Sequence, residues 1–202
     1  MSGEKIGIMG GTFDPVHYGH LFAAEQARVV LSLGMVVFVP SGTPPHKSYP
    51  MMASAEDRYA MTELAIRGND HFAISRAETD RPEASYTADT LEYFRRENPG
   101  AELFLITGAD AALDIPNWHE PDRILSLCRV AVAARPGYVR DKITELSEAA
   151  GDSLIVLDTG LIDVSATEIR ELAAGNGSIR YMTPDSVCRY IAEKKLYSCT
   201  GA

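Results

Sequence analysis

Two histidines three residues apart, His17 and His20, close the stretch Gly10-Gly11-Thr12-Phe13-Asp14-Pro15-Val16-His17-Tyr18-Gly19-His20. On a helix that spacing puts both rings on roughly one face. The apolar run Ile6-Gly7-Ile8-Met9 comes just before and reads as a buried strand. A strand that runs into paired glycines and then into a helix brings backbone N–H groups close to whatever sits at the turn, which favours phosphate. The helix dipole favours an anion there and disfavours imidazolium, so a bound phosphate is needed to raise the proton affinity of the histidines. A nucleotide is the expected guest. Other readings stay open on these residues alone: a tight turn at Gly10-Gly11, a cap plus a surface histidine, or a zinc pair. The zinc reading lacks the four-residue spacing and the Glu of HExxH, and Gly7, Gly10 and Gly11 do not fall into GxGxxG.

The elements that must position these residues can be read from periodicity. Strands are expected over 5–9, 35–39, 71–74, 102–107, 129–134 and 154–157, each an apolar run bounded by breakers. Between them, helices are expected over 18–33, with Leu21, Ala24, Ala27, Val30 and Leu31 on the inner side and Gly34 as the stop, and over 54–67, opened by Ser54-Ala55-Glu56-Asp57. Thr87 is expected to cap a helix to about Asn98, which Pro99-Gly100 ends, and a further helix is expected over 139–150. Short helices flank Pro116-Asn117-Trp118-His119-Glu120-Pro121. Ser165-Ala166-Thr167-Glu168 has the capping-box pattern for a helix to Ala174, and Thr183-Pro184-Asp185 opens a last one with Pro at its first position. Six apolar runs alternating with helices predict an α/β fold: a doubly wound, Rossmann-like, mainly parallel sheet in a single domain over 1–202, with a small helical C-terminal part at about 165–197. The segment 41–52, with Pro44, Pro45, Pro50 and Gly42, reads as a loop.

Composition bounds the function. The 202 residues are 46% hydrophobic and 23% charged, ordinary for a globular chain. A net charge of -9 argues against sequence-independent nucleic-acid binding, which needs a basic surface. Cys128, Cys188 and Cys199 show no CxxC pairing, so neither a disulfide framework nor a zinc site is readable. With no signal peptide and no apolar run near the ~20 residues of a membrane span, the expectation is a soluble cytoplasmic protein with no membrane partner.

GGTFDPVHYGH resembles the signature of the nucleotidylyltransferase superfamily, whose short form (H/T)xGH is here His17-Tyr18-Gly19-His20. Within that superfamily the chain is similar to the bacterial nicotinate-nucleotide adenylyltransferases. Further matching blocks come in the family's order: Thr43-Pro44-Pro45-His46-Lys47, Ser85-Tyr86-Thr87, Gly108-Ala109-Asp110, Trp118-His119, Arg135-Pro136-Gly137 and Val164-Ser165-Ala166-Thr167-Glu168-Ile169-Arg170. The last departs from the Ile-Ser-Ser-Thr common in members but keeps Ser165, Thr167 and Arg170. The resemblance implies transfer of the adenylyl group of ATP to nicotinate mononucleotide, with Mg2+ held mainly by the ATP phosphates and no dedicated protein metal ligands.

By the same resemblance His17, His20 and Arg170 are catalytic. ATP is met by Gly10, Gly11, Thr12, Phe13, His17, His20, Gly108, Asp110, Arg135, Ser165, Thr167 and Arg170. The acceptor is met by Thr12, Lys47, Thr87, Trp118 and His119, with Trp118 stacked on the pyridine ring. Simpler roles compete: Asp110 as a helix cap, Trp118 as an anchor of its loop, and Lys47 as a solvated loop residue. The rival functions are another adenylyltransferase of the superfamily and a regulatory nucleotide-binding protein without turnover. Homo-oligomerisation is left open.

Overall fold

The computed structural model describes residues 4–42, 52–81, 83–134, 151–158, 160 and 162–198. Six strands form one sheet: β1 (Lys5–Gly11), β2 (Met35–Pro40), β3 (Phe72–Ile74), β4 (Glu102–Gly108), β5 (Arg129–Ala134) and β6 (Leu154–Asp158). The strand order is β3-β2-β1-β4-β5-β6, and every pair is parallel. The chain winds outward from β1 to β3, returns to the centre and winds out the other way, so the order reverses between β1 and β4. In open α/β sheets a ligand crevice lies outside the carboxyl ends of the strands at that switch point. Here those ends are Gly10-Gly11 and Gly108.

Period-two alternation gives the sheet two apolar faces. Leu103 and Leu105 of β4, with Ile6 and Ile8 of β1 and Val130 and Val132 of β5, belong to one core; Phe104, Ile106, Met9, Ala131 and Ala133 belong to the other. The helices α1 (Tyr18–Leu31) and α2 (Ala55–Ile66) contribute to the second core, and α3 (Thr87–Glu97), α4 (Ala109–Asp114) and α5 (Pro121–Leu127) to the first. The C-terminal helices are α6 (Ala166–Ala174) and α7 (Asp185–Lys194). Val187 and Ile191 of α7 join the α1/α2 core.

Three helix ends and one helix face depart from the sequence expectations. Helix α1 stops at Leu31 because Ser32, not Gly34, takes the left-handed cap conformation (φ 55°). Its inner side is Ala23, Ala24 and Ala27, whereas Val30 is exposed. Tyr86, not Thr87, is the N-cap of α3, and Thr87 is its first residue. Pro184 caps α7 instead of opening it, and the Thr183 hydroxyl donates to the carbonyl of Val16, 2.8 Å away. Ser54 and Ser165 do cap α2 and α6, each accepting the N–H three residues on, an interaction worth about 1 kcal/mol per cap. The expected helix over 139–150 lies outside the described residues. Cys128 is buried and Cys188 half-buried, both as free thiols.

Candidate active site

The loop leaving β1 is held by packing on both sides. Phe13 takes a left-handed φ of 50° and is buried, its ring edge-on to His20 with centroids 5.0 Å apart. A Cβ on Gly11 would lie 2.9 Å from that ring, and a Cβ on Gly19 would lie 3.0 Å from the His17 imidazole. Both glycines are therefore demanded by neighbouring aromatic rings. At Gly10 and Gly108 a Cβ would meet no atom within 4 Å, so at the switch point the backbone stands open to a ligand.

His17 is the N-cap of α1, and the two imidazoles stack with centroids 3.7 Å apart. The backbone N–H of His17 donates to Nδ1 of His20 at 3.3 Å. A ring nitrogen that accepts carries no proton, so Nδ1 is the bare nitrogen of the His20 ring in this arrangement. His17 is buried, and its Nδ1 has no partner among the described residues. Desolvation pushes its pKa down to about 4. The unfolded chain binds this proton more tightly than the folded protein does. The burial therefore costs nothing above pH 6.5, and stability is lost as pH falls from about 6.5 to about 4, by about 3 kcal/mol. An NMR titration should show His17 neutral down to about pH 4 in the free protein; an imidazole titrating near 6.5 would contradict this burial.

Arg170 reaches the same loop from α6. Its Nη1 donates to the carbonyl of Asp14 at 2.7 Å and its Nη2 to the Thr167 hydroxyl at 3.1 Å. The β1 exit, His17, His20, Thr167 and Arg170 are thereby brought together beside the free N–H groups of α6. Asp110 does not cap α4: Gly108 is the N-cap, and Asp110 is an exposed residue of the first turn.

Alongside this loop is a cavity of about 330 Å³ lined by Gly10, Gly11, Thr12, Thr87, Trp118 and His119. Trp118 is half-buried, packing on the core beneath the cavity while also lining it, so its anchoring and ligand-facing roles coexist. The His119 ring lies against Tyr86, centroids 4.2 Å apart. Arg123 bridges α3 and α5 through Asp89, Glu92 and Glu120, fixing the start of α3 against the Trp118 loop. Lys47 and Arg135 lie outside the described residues.

Sequence reasoning missed three polar groups here. Arg58 of α2 is fully buried and donates to the carbonyls of Thr12 (2.8 Å) and Gly42 (3.3 Å), fastening the exits of β1 and β2. Its signal was present: Arg58 falls in line with buried Met61, Thr62 and Ile66 on one helix face. Glu78 and Ser85 line the cavity from the stretch before α3. Burial raises the Glu78 carboxyl above its usual range against a hydrogen bond from Thr90. The Ser85 hydroxyl has no partner among the described residues. Ser85 stands in the matching block Ser85-Tyr86-Thr87 but had no site role there, and Glu78 had no local pattern to mark it.

The family model Cytidylyltransferase-like matches residues 8–172 of this chain. A probable nicotinate-nucleotide adenylyltransferase of Corynebacterium kroppenstedtii is 44% identical over 197 residues, 98% of this chain and 92% of that protein. One of Roseiflexus sp. is 45% identical over 200 residues, 98% of this chain and 100% of that protein. The solved Plasmodium falciparum nicotinic acid mononucleotide adenylyltransferase complexed with NaAD superimposes with a TM-score of 0.80, covering 96% of this chain and 97% of that one, at 18% identity. The chain belongs to the nicotinate-nucleotide adenylyltransferase family of the cytidylyltransferase-like proteins.

Proposed function

We propose that the protein transfers the adenylyl group of ATP to nicotinate mononucleotide, giving deamido-NAD and pyrophosphate in NAD biosynthesis. The observation that carries this reading is the pairing, at one switch point, of an open glycine and histidine loop with an adjoining cavity lined by Thr87, Trp118 and His119. A phosphate oxygen of the mononucleotide attacks the α-phosphorus of ATP, the bond from that phosphorus to the β-phosphate bridging oxygen breaks, and pyrophosphate leaves. No covalent enzyme intermediate is needed. The protein holds two polyanions in line and offsets the charge that grows on the leaving phosphates.

His20 donates through Nε2–H to the phosphates. His17, neutral when the site is empty, gains proton affinity when the triphosphate arrives beside it. Arg170 uses one donor on the loop and one on Thr167 of its own helix and has further donors for the β- and γ-phosphates, with the N–H groups after Ser165 beside it. Gly10, Gly11, Thr12 and Phe13 shape the backbone against the nucleotide. Gly108, Asp110 and Arg135 serve the adenosine, with Asp110 accepting from the ribose hydroxyls.

On the acceptor side Trp118 stacks on the pyridine ring. The N–H groups at the start of α3 near Thr87, with that of His119, take the nicotinate carboxylate. Lys47 serves the acceptor phosphate. Glu78 lines the same cavity, and burial raises its carboxyl above its usual range.

Among the described residues no group of three or more His, Cys, Asp or Glu could cage a metal ion. A magnesium ion carried by the triphosphate fits this site, because Mg2+ is bound through substrate phosphates and water with few protein ligands. When bound, it neutralises phosphate charge. The test is pyrophosphate release that requires both ATP and nicotinate mononucleotide and matches dinucleotide formed. ATP binding with no release for any acceptor would favour a regulatory nucleotide-binding protein instead.

A further inference from the structure

Asp14 lies three residues before His17 and is buried, and each of its oxygens is taken by a different part of the chain. Oδ1 accepts from the Tyr197 hydroxyl at 2.7 Å, Oδ2 from the backbone N–H of Met52 at 3.0 Å, and the carbonyl oxygen from Arg170 at 2.7 Å. Two further bonds join the C-terminal segment to the motif: Thr183 hydroxyl to the Val16 carbonyl at 2.8 Å, and the Tyr18 N–H to the Met182 carbonyl at 3.0 Å. Residues 182–197 therefore grip the loop on both sides of His17. Arg170 and the histidines are hung on the same Asp14 peptide, so its orientation sets both.

We propose that Tyr197 is a positioning residue for the donor site: through the Asp14 carboxylate it fixes the peptide that carries Arg170 and the histidine loop, and so tunes binding of the ATP triphosphate. Tyr197 is buried, and its contact with Asp14 is a charge-assisted bond, about twice as strong as a neutral one. Without the hydroxyl, Oδ1 loses its fixed partner and the carboxylate is free to turn about its own side-chain bonds. The peptide then loses an anchor on the Tyr197 side, while the wall of the acceptor cavity supplied by Thr87, Trp118 and His119 keeps its own supports on α3 and α5. This inference rests on the histidine loop being the ATP site.

A matched control exists in the same C-terminal segment. Tyr190 of α7 also donates its hydroxyl to a carboxylate, Asp57 Oδ1 at 2.9 Å, but that carboxylate belongs to α2 and not to the histidine loop. Tyr197→Phe and Tyr190→Phe each remove one such bond. Calorimetric titration of each variant with ATP and Mg2+ should show Tyr197→Phe weakening ATP about 5-fold or more, the lower end of site-to-site coupling, with stoichiometry near one. Tyr190→Phe should leave the ATP Kd unchanged, and KM for nicotinate mononucleotide should stay unchanged in both. Unchanged Kd with reduced stoichiometry in Tyr197→Phe, or equal weakening in the two variants, would reduce Tyr197 to a fold contact and overturn the proposal.

Coupling is reciprocal, so in the unsubstituted protein saturating ATP should slow hydrogen exchange at the Met52 amide and across 182–197. Unaltered exchange there overturns the proposal even if Tyr197→Phe fails to fold. Failure of the unsubstituted protein to bind ATP at all would instead sink the assignment of the donor site.

Discussion

His20→Ala is expected to lower kcat by about 100-fold or more, the size of effect seen when one preorganised donor to a developing oxyanion is removed. The expectation follows from position. Because Nδ1 of His20 accepts the His17 N–H, the ring is oriented at the helix N-terminus, where the ATP phosphates are proposed to lie. The structural loss is smaller: one 3.3 Å bond to the helix cap, the stack on His17 and the edge contact with Phe13. Together these are worth about 1–2 kcal/mol, a few degrees of Tm in a chain of this length. Thermal unfolding measured beside steady-state kinetics separates the two. A fall in kcat that merely tracks the lost folded fraction would remove His20 from the chemistry.

Arg58→Ala is expected to be the most damaging single change to stability in the region, costing about 3–5 kcal/mol. Three losses coincide. The carbonyls of Thr12 and Gly42 lose a charged donor, a side chain fully enclosed by the protein leaves a cavity, and the buried Asp14 carboxylate loses a nearby cation whose charge it supports. Arg58→Lys keeps the charge but not the fork that spans two carbonyls, so it should recover only part of the loss. Urea unfolding of the three proteins checks this, and an Arg58→Ala protein as stable as the parent would show that the strand exits hold themselves. Activity should fall in step, since Thr12 leads directly into the histidine loop.

Most of the frame was legible from local pattern. Six apolar runs and their breakers located all six strands, and the glycine and histidine stretch placed itself at the end of β1. What local pattern could not settle were choices between adjacent residues: Ser32 over Gly34 as the cap of α1, and Tyr86 over Thr87 at the start of α3. Tertiary contacts decide these. At Thr183 the hydroxyl finds Val16, far away in sequence, and the expected boundary of α7 moves by one residue.

The site divides the same way. Its glycines, histidines and Trp118 sit in recognisable blocks. Asp14 and Tyr197 are 183 residues apart, and a single bond at that separation leaves no periodicity to read. Arg58 is intermediate, since its place on the buried stripe of α2 is visible but an arginine there reads by default as solvated. The proposed mechanism draws on both kinds of residue: those with a motif are assigned to the substrates, and those without one hold the motif in shape.

The central claim is that the donor loop and the Trp118 cavity together select nicotinate mononucleotide as the acceptor of the adenylyl group. The most direct measurement is pyrophosphate release from ATP and Mg2+ with nicotinate mononucleotide, nicotinamide mononucleotide or phosphopantetheine supplied in turn. A carboxylate received by backbone donors at a helix start, against a neutral amide in the same place, is worth about 1.5–3 kcal/mol. The account therefore predicts kcat/KM about 10- to 100-fold higher for nicotinate than for nicotinamide mononucleotide, and no release with phosphopantetheine. Equal efficiency with the two mononucleotides, or turnover with phosphopantetheine alone, would contradict it.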